Sequence, residues 1–225
     1  MYTPPSDLVP FRTADGSFTL RSEALGEQYH SVHGAVQESR HVFLAMGLDA
    51  IAGSSVNLLE VGLGTGLNAL LTWIAADGQH RGVHYTALEP YPLSREVLAT
   101  MDHSAACDDP AKSEAVLDML TVGESEWQRM SAHFSFRRSG TSVLALEDEA
   151  AYDLVYFDAF GPDTQPELWT EEAFHRVHRA MRPGALLVTY CAKGAVRRAM
   201  QAAGLRVERL PGPPGKREML RARKP

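Results

Sequence analysis

From about residue 56 onward, apolar runs bounded by acids or glycines alternate with segments of helical spacing. Val56-Asn57-Leu58-Leu59-Glu60-Val61 reads as a buried strand, and residues 66–76 as the helix that follows it. Residues 83–89 form a second strand ending in an acid, after which Pro92 and Ser94 open a helix through about Met101. Residues 104–123, with Asp108-Asp109-Pro110, read as a loop leading into a further short helix. Phe134-Ser135-Phe136-Arg137-Arg138 alternates as a third strand. The fourth, residues 152–158, is almost wholly apolar between its acids, as a central parallel strand should be. A helix over 170–181 is closed by Arg182-Pro183-Gly184. A fifth strand (185–190) and a helix (195–203) follow, with Gly204 as the C-cap. Residues 205–210 and 218–223 pair as short strands across Pro211-Gly212-Pro213-Pro214-Gly215. This alternation predicts an α/β, Rossmann-like fold: a mostly parallel sheet with an antiparallel C-terminal strand.

The first 50 residues stand outside the alternation. Asp15-Gly16 reads as a turn between short strands within 11–21, and 38–44 as a helix running into Gly47. Tyr29-His30-Ser31-Val32-His33-Gly34 mixes polar and aromatic side chains. It is either a loop that closes over a ligand or a surface cap on the sheet. We expect a single domain, with residues 1–50 as an N-terminal extension and 51–225 as the core.

Composition narrows the class. A chain of 225 residues, 44% hydrophobic and 22% charged, suits one α/β domain with a sizeable core. No apolar stretch is long enough to span a bilayer, and no basic n-region leads into an apolar h-region, so a cytoplasmic protein is expected. Cys107 and Cys191 read as free thiols. His80 and His84 are four apart, but Gly82 between them opens a strand, so no metal is assigned. Charge is uneven: residues 182–225 carry eleven Lys or Arg against two Glu, net +9, which leaves −15 for residues 1–181. A basic end on an acidic body can bind a polyanion, or it can be a solvated surface.

The candidate chemistry lies at the strand ends. In Glu60-Val61-Gly62-Leu63-Gly64-Thr65-Gly66-Leu67-Asn68 three alternate glycines let the backbone turn tightly between strand and helix. The dinucleotide fingerprint wants its third glycine one position later, where this chain has Leu67. Glu-x-Gly-x-Gly-x-Gly is instead the form expected of an S-adenosyl-L-methionine (SAM) methyltransferase. Glu60 would stand near the amino-acid part of that cofactor and Glu89 near its ribose, whose vicinal hydroxyls a carboxylate can bridge. Asp158-Ala159-Phe160-Gly161-Pro162 follows the fourth strand. There Asp158 would orient an acceptor amine and relay its proton, while Phe160 packs against a flat base.

The blocks Glu60 to Leu71, Asp158 to Thr170, Gly194-Ala195-Val196-Arg197-Arg198 and Gly215-Lys216-Arg217-Glu218-Met219-Leu220 occur in that order, and together the chain resembles the MnmD methyltransferases. These are similar to the N-terminal methyltransferase half of bifunctional MnmC. The resemblance implies a class I SAM-dependent methyltransferase that methylates the aminomethyl group of a wobble uridine in certain tRNAs. It implies Asp158 and Phe160 as catalytic residues, and Glu60, Gly62, Gly64, Gly66, Asn68, Glu89 and Asp158 around SAM. Tyr29, Lys193, Arg197, Arg198, Lys216 and Arg217 would contact substrate, with the cations on RNA phosphates. Phe160 and Trp169 are candidate base-stacking aromatics, although Trp169 suits a core staple better. The sequence shows no flavin-dependent oxidase half, so only the last methylation is expected; separately, a monomer is expected. Its partners would be tRNA and either a separate FAD-dependent oxidase or an upstream wobble-modifying enzyme. Where relatives often carry an acid near the adenine, this chain has Ser139-Gly140-Thr141-Ser142. Two rival readings stay open: an aminopropyltransferase like spermidine synthase, which would want an acidic pocket, and a non-catalytic RNA- or nucleoside-binding module of the same fold.

Overall fold

The structure, a computed structural model, describes residues 7–121, 123 and 126–225. Residues 1–6, part of the end read for a secretion signal, and Val122, in the segment read as loop and short helix, lie outside the described residues. The chain opens with an antiparallel ribbon of β1 (Leu8–Arg12), β2 (Phe18–Ser22) and β3 (Glu27–Gln28). Helix α1 (Ala35–Ser39) then widens into a π-type segment, Arg40–Ala45. The core follows as β4 (Ser55–Val61), α2 (Leu67–Gly78), β5 (Gly82–Leu88), α3 (Arg95–Ala99), α4 (His103–Ala106), α5 (Ser113–Thr121) and β6 (Gln128–Arg129). It continues as β7 (Phe134–Ser139), β8 (Tyr152–Phe157), α6 (Glu171–Ala180), β9 (Met181–Thr189), α7 (Gly194–Ala202), β10 (Arg206–Pro211) and β11 (Glu218–Arg223).

Eight of these strands form one sheet in the order β10-β11-β9-β8-β4-β5-β7-β6. The five central strands are parallel; β11 pairs antiparallel with β9, β10 antiparallel with β11, and β6 antiparallel with β7. Alternate strand residues feed two layers. Leu58, Tyr85 and Tyr156 pack with Phe43, Leu70 and Leu120 on one face, whereas Leu59, Val155 and Phe157 pack with Phe174, Val177 and Met200 on the other.

Several boundaries differ from the sequence reading: the helix expected from residue 38 starts at Ala35, and His103–Ala106 is helical within the segment read as a loop. Strand β9 starts at Met181, four residues before the expected 185. The helix does end before Arg182-Pro183-Gly184, at Ala180, and the pairing of β9 with β8 slips between Tyr152 and Leu154, so these three residues also form an irregularity in the strand. Proline and glycine mark bulges as readily as helix ends. The two-residue strands β3 and β6 were not expected, because so short a segment has no periodicity to read.

Strand β4 is the pivot. The chain steps from it to β5 and β7 on one side and then returns to β8 on the other. The carboxyl ends of β4 and β8 therefore open a crevice where the strand order reverses. Val61 sits in register with both Leu88 and Phe157, so Gly62, Glu89 and Asp158 leave the sheet side by side.

Candidate active site

Backbone geometry explains the glycines of the turn. Gly62, Gly64 and Gly66 have φ of +88°, +52° and +77°, in the region that disfavours a side chain. Space is also short: a Cβ on Gly62 would lie 2.8 Å from the Asp158 carbonyl oxygen, and one on Gly66 would lie 2.5 Å from Leu120 Cδ2. The turn is tied to both neighbouring strand ends, with Gly62 N donating to Leu88 O at 3.1 Å and Asp158 N to Val61 O at 2.9 Å.

Three acids follow from this frame. Glu60 is wholly buried, and its Oε1 accepts a hydrogen bond from Asn68 Nδ2 at 2.9 Å. The same Nδ2 donates to Asp158 Oδ2 at 2.7 Å, so the α2 amide bridges two carboxyl groups from adjacent strands. Burial pushes the Glu60 carboxyl well above its usual range; the Asn68 bond opposes this, and the charge of Asp158 adds to it. The buried Tyr85 hydroxyl stands beside Glu60 and also opposes the rise. Burial also raises Asp158 well above the ordinary range, reinforced by Glu38 and countered by Asn68 and Lys216. Glu89 is differently held: its Oε2 accepts from Gly64 N at 3.1 Å and its Oε1 from Tyr91 N at 3.0 Å.

These tips border a cleft of about 1070 Å³. Gly62, Gly64, Glu89, Asp158 and Phe160 line it; Glu60, Gly66 and Asn68 stand behind its wall. The 29–33 segment is also a wall, so the structure brings it to the ligand space rather than to the sheet surface. Tyr29 packs over Gly64, where a Cβ would come within 3.0 Å of its ring, and meets Phe160 edge to face at 4.8 Å. Phe160 is fixed through its backbone: its N donates to Gln165 Oε1 at 3.1 Å, and its carbonyl accepts from Trp169 Nε1 at 2.7 Å. Trp169 itself is buried against Phe157 and Phe174, in the core. The hydroxyls of Ser139 and Thr141 hydrogen-bond to each other, and Ser142 caps the next turn, while Ser142, Val143 and Leu144 line the cleft.

Of the five candidate cations, only Lys216 reaches the cleft. Lys193 is held by Asp163. Among the described residues Arg197, Arg198 and Arg217 have no ion-pair partner, and they lie outside the cleft lining. Glu38, Tyr190 and Gln165 also line the cleft and carried no role in the sequence reading, nor did His103 beneath the glycine turn. They come from a helix, a strand end and loops whose meeting no local pattern encodes.

Residues 129–225 match the model of a family described as S-adenosyl-L-methionine-dependent methyltransferase. A Cupriavidus metallidurans protein, "tRNA 5-methylaminomethyl-2-thiouridine biosynthesis bifunctional protein MnmC", is 34% identical over 232 residues, covering 95% of this chain and 33% of its own length. The C-terminal part of the chain is thus similar to the SAM-dependent methyltransferases. The chain spans about a third of the length of the curated relatives it matches. It shares its fold with MNMC2 from Aquifex aeolicus (TM-score 0.76, 24% identity, 98% of this chain and 72% of that one). The fold extends to spermidine synthase from Thermotoga maritima, at TM-score 0.55 and 13% identity over 100% of this chain and 72% of that one. Among the described residues no helix is long and apolar enough to cross a membrane. No cluster of described His, Cys, Asp or Glu could hold a metal.

Proposed function

We propose that the chain transfers a methyl group from SAM to the exocyclic aminomethyl nitrogen of a modified wobble uridine in tRNA, giving 5-methylaminomethyl-(2-thio)uridine. One observation carries this reading: a side-chain-free glycine turn, Glu89 and Asp158 converge on one cleft, and the curated relative at 34% identity is named for that nucleoside.

The residues present fit SAM. Without side chains, Gly62 packs against the Asp158 backbone and Gly64 beneath the Tyr29 ring, and the backbone of both lines the cleft. Two backbone amides orient the Glu89 carboxylate, yet each oxygen keeps a lone pair for a vicinal diol. Leu88, Val97, Val143 and Leu144 offer an apolar wall to a flat base. Since no acid stands at Ser139-Gly140-Thr141-Ser142, contacts to the base edge there would come from hydroxyl or backbone groups. When bound, SAM supplies an electrophilic methyl group on a sulfonium.

The protein's own work is placement and proton handling. Asn68 holds Asp158 by Oδ2, which leaves Oδ1 for the acceptor amine. A carboxyl raised by burial takes that amine's proton more readily than an ordinary one, so the nitrogen keeps a free lone pair. Phe160, edge-on to Tyr29, would pack against the uracil ring, and the cations of α7 would meet the RNA backbone. In this reading the substrate partner is tRNA, with its acceptor amine prepared by an upstream modifying enzyme.

One observation favours the aminopropyltransferase rival. Glu27, Glu38, Glu89, Asp158 and Glu167 face the cleft against the single ammonium of Lys216, as a polyamine would want. Thr164 and Lys216 already engage Glu27 and Glu38, and the likeness to spermidine synthase is one of fold alone. Methyl-labelled SAM with bulk tRNA from cells lacking this protein separates the two. Label in a wobble nucleoside after digestion is the expected result. No label in tRNA, with aminopropyl transfer to putrescine from decarboxylated SAM, would overturn the proposal.

A further inference from the structure

The loop between β10 and β11 closes onto the N-terminal arm. His41 Nε2 lies 2.9 Å from Pro211 O, and Gly215 is packed so tightly that a Cβ there would fall 2.2 Å from His33 Cδ2. This docking carries Lys216 into the cleft. Its ammonium pairs with the Glu38 carboxylate at 2.5 Å and stands over the Tyr190 ring, 4.2 Å from the centroid. Glu38 is only 7% exposed, and its other oxygen accepts from Ser31 N at 3.3 Å. Tyr190 donates its hydroxyl proton to the carbonyl of Ala159, the residue after Asp158. A lysine meant for phosphate would not need a buried carboxylate and a ring face around its nitrogen.

We propose that Glu38 and Lys216 are positioning residues of the acceptor's site: a paired carboxylate and ammonium on the cleft wall that set the charge felt by Asp158 and by the amine it receives. This rests on the methyl-transfer reading above. The chemistry asks for such a pair. An alkylamine reaches the site largely as an ammonium, which needs negative charge to bind, and it must then give up its proton to attack carbon. Burial already makes Asp158 a stronger base than an exposed carboxylate. With Glu38 nearby it holds a proton more firmly, while Lys216 keeps the site from accumulating uncompensated negative charge. The proton passes from the amine nitrogen to Asp158 Oδ1 and leaves the lone pair on nitrogen. The other groups that act on Asp158 are Asn68, which holds Oδ2, the buried Glu60, and the Tyr190 ring.

The test is the pH dependence of single-turnover methyl transfer to tRNA in the full chain. Glu38→Gln removes a negative charge and should move the acid limb down by about one pH unit. Lys216→Met removes a positive one and should move the limb up by a similar amount. The double variant should return close to wild type, and Lys216→Arg, which keeps the charge, should leave the limb in place. SAM affinity reports whether each variant is folded; if one is not, the sign of the other limb's shift still decides. Limbs that stay put, or a Lys216→Met effect confined to the KM for tRNA and its salt dependence, would overturn the inference and make Lys216 a phosphate contact. If the wild type fails to methylate tRNA at all, the functional reading itself falls.

Discussion

The sheet tips and the surface that closes over them build the same cleft by different routes. At the tips, Gly62, Glu89 and Asp158 each stand one residue beyond a strand end, and the register of β4 with β5 and β8 sets them together. On the closing side, Glu38 and Lys216 meet because the arm and the β10–β11 loop dock on each other, and Tyr29 reaches Phe160 from the same arm. Chemistry attached to the sheet is thus positioned by topology, and its charge environment by docking. A variant at the tips should remove the reaction, whereas one on the closing side should tune it.

The largest effect belongs to Asp158. Asp158→Ala should lower single-turnover methyl transfer by roughly 10²–10⁴, the usual range for loss of a general base. SAM binding should weaken only modestly, because Glu89 and the glycine turn remain. Calorimetry of SAM binding beside the transfer rate checks both halves. Normal turnover in that variant would take Asp158 out of the chemistry and erase the distinction between tip and closure.

The two sides also differ in how far the sequence revealed them. The alternation of strands and helices was legible because β4, β5 and β8 are mostly apolar runs, and the acids because they stand at the ends of such runs. Tail charge was misleading in amount. Arg182 pairs with Asp153, Lys193 with Asp163, Arg209 with Glu218, and Arg221 with Glu208, while Lys224 donates to the carbonyls of His178 and Met181. Net charge counts a cation whether or not the fold has already spent it. Glu38 and His103 gave no signal, since a buried carboxylate or imidazole is recognised only by what packs around it.

A middle-sized effect should appear where closure touches the glycine turn. Thr65, inside the turn, lies between two buried histidines: its Oγ1 is 2.8 Å from His103 Nε2 and 3.5 Å from His30 Nε2. His30 Nδ1 meets Thr19 Oγ1 at 3.1 Å. Burial lowers His30 to about 3 and His103 to about 4, so both are neutral in the fold. The unfolded chain takes up protons near pH 6.5. Their contribution is therefore whole above that pH and is lost as pH falls toward the folded values. Glu60 and Asp158 act in the opposite sense, because they bind protons more tightly when folded. Comparing variants isolates the histidines: between pH 7 and 5 the melting temperature of His103→Asn should fall less steeply than that of the wild type. Equal slopes would mean that this imidazole does not stay neutral beside the turn.

The smallest effect tests the surface furthest from the reaction. Arg197 is half-buried and Arg198 exposed on α7, and neither has an ion-pair partner among the described residues. If they meet RNA phosphates, they add affinity without touching Asp158. Arg197→Ala with Arg198→Ala should then raise the KM for tRNA several-fold and leave the single-turnover rate at saturation unchanged. Each lost phosphate contact also removes a released counterion, so the slope of log affinity against log salt should flatten by roughly one per contact. Titrating binding across salt separates this from loss of packing, which would weaken binding equally at every concentration. A salt slope that does not move would place both arginines off the RNA, and the free charge of α7 would then need another partner.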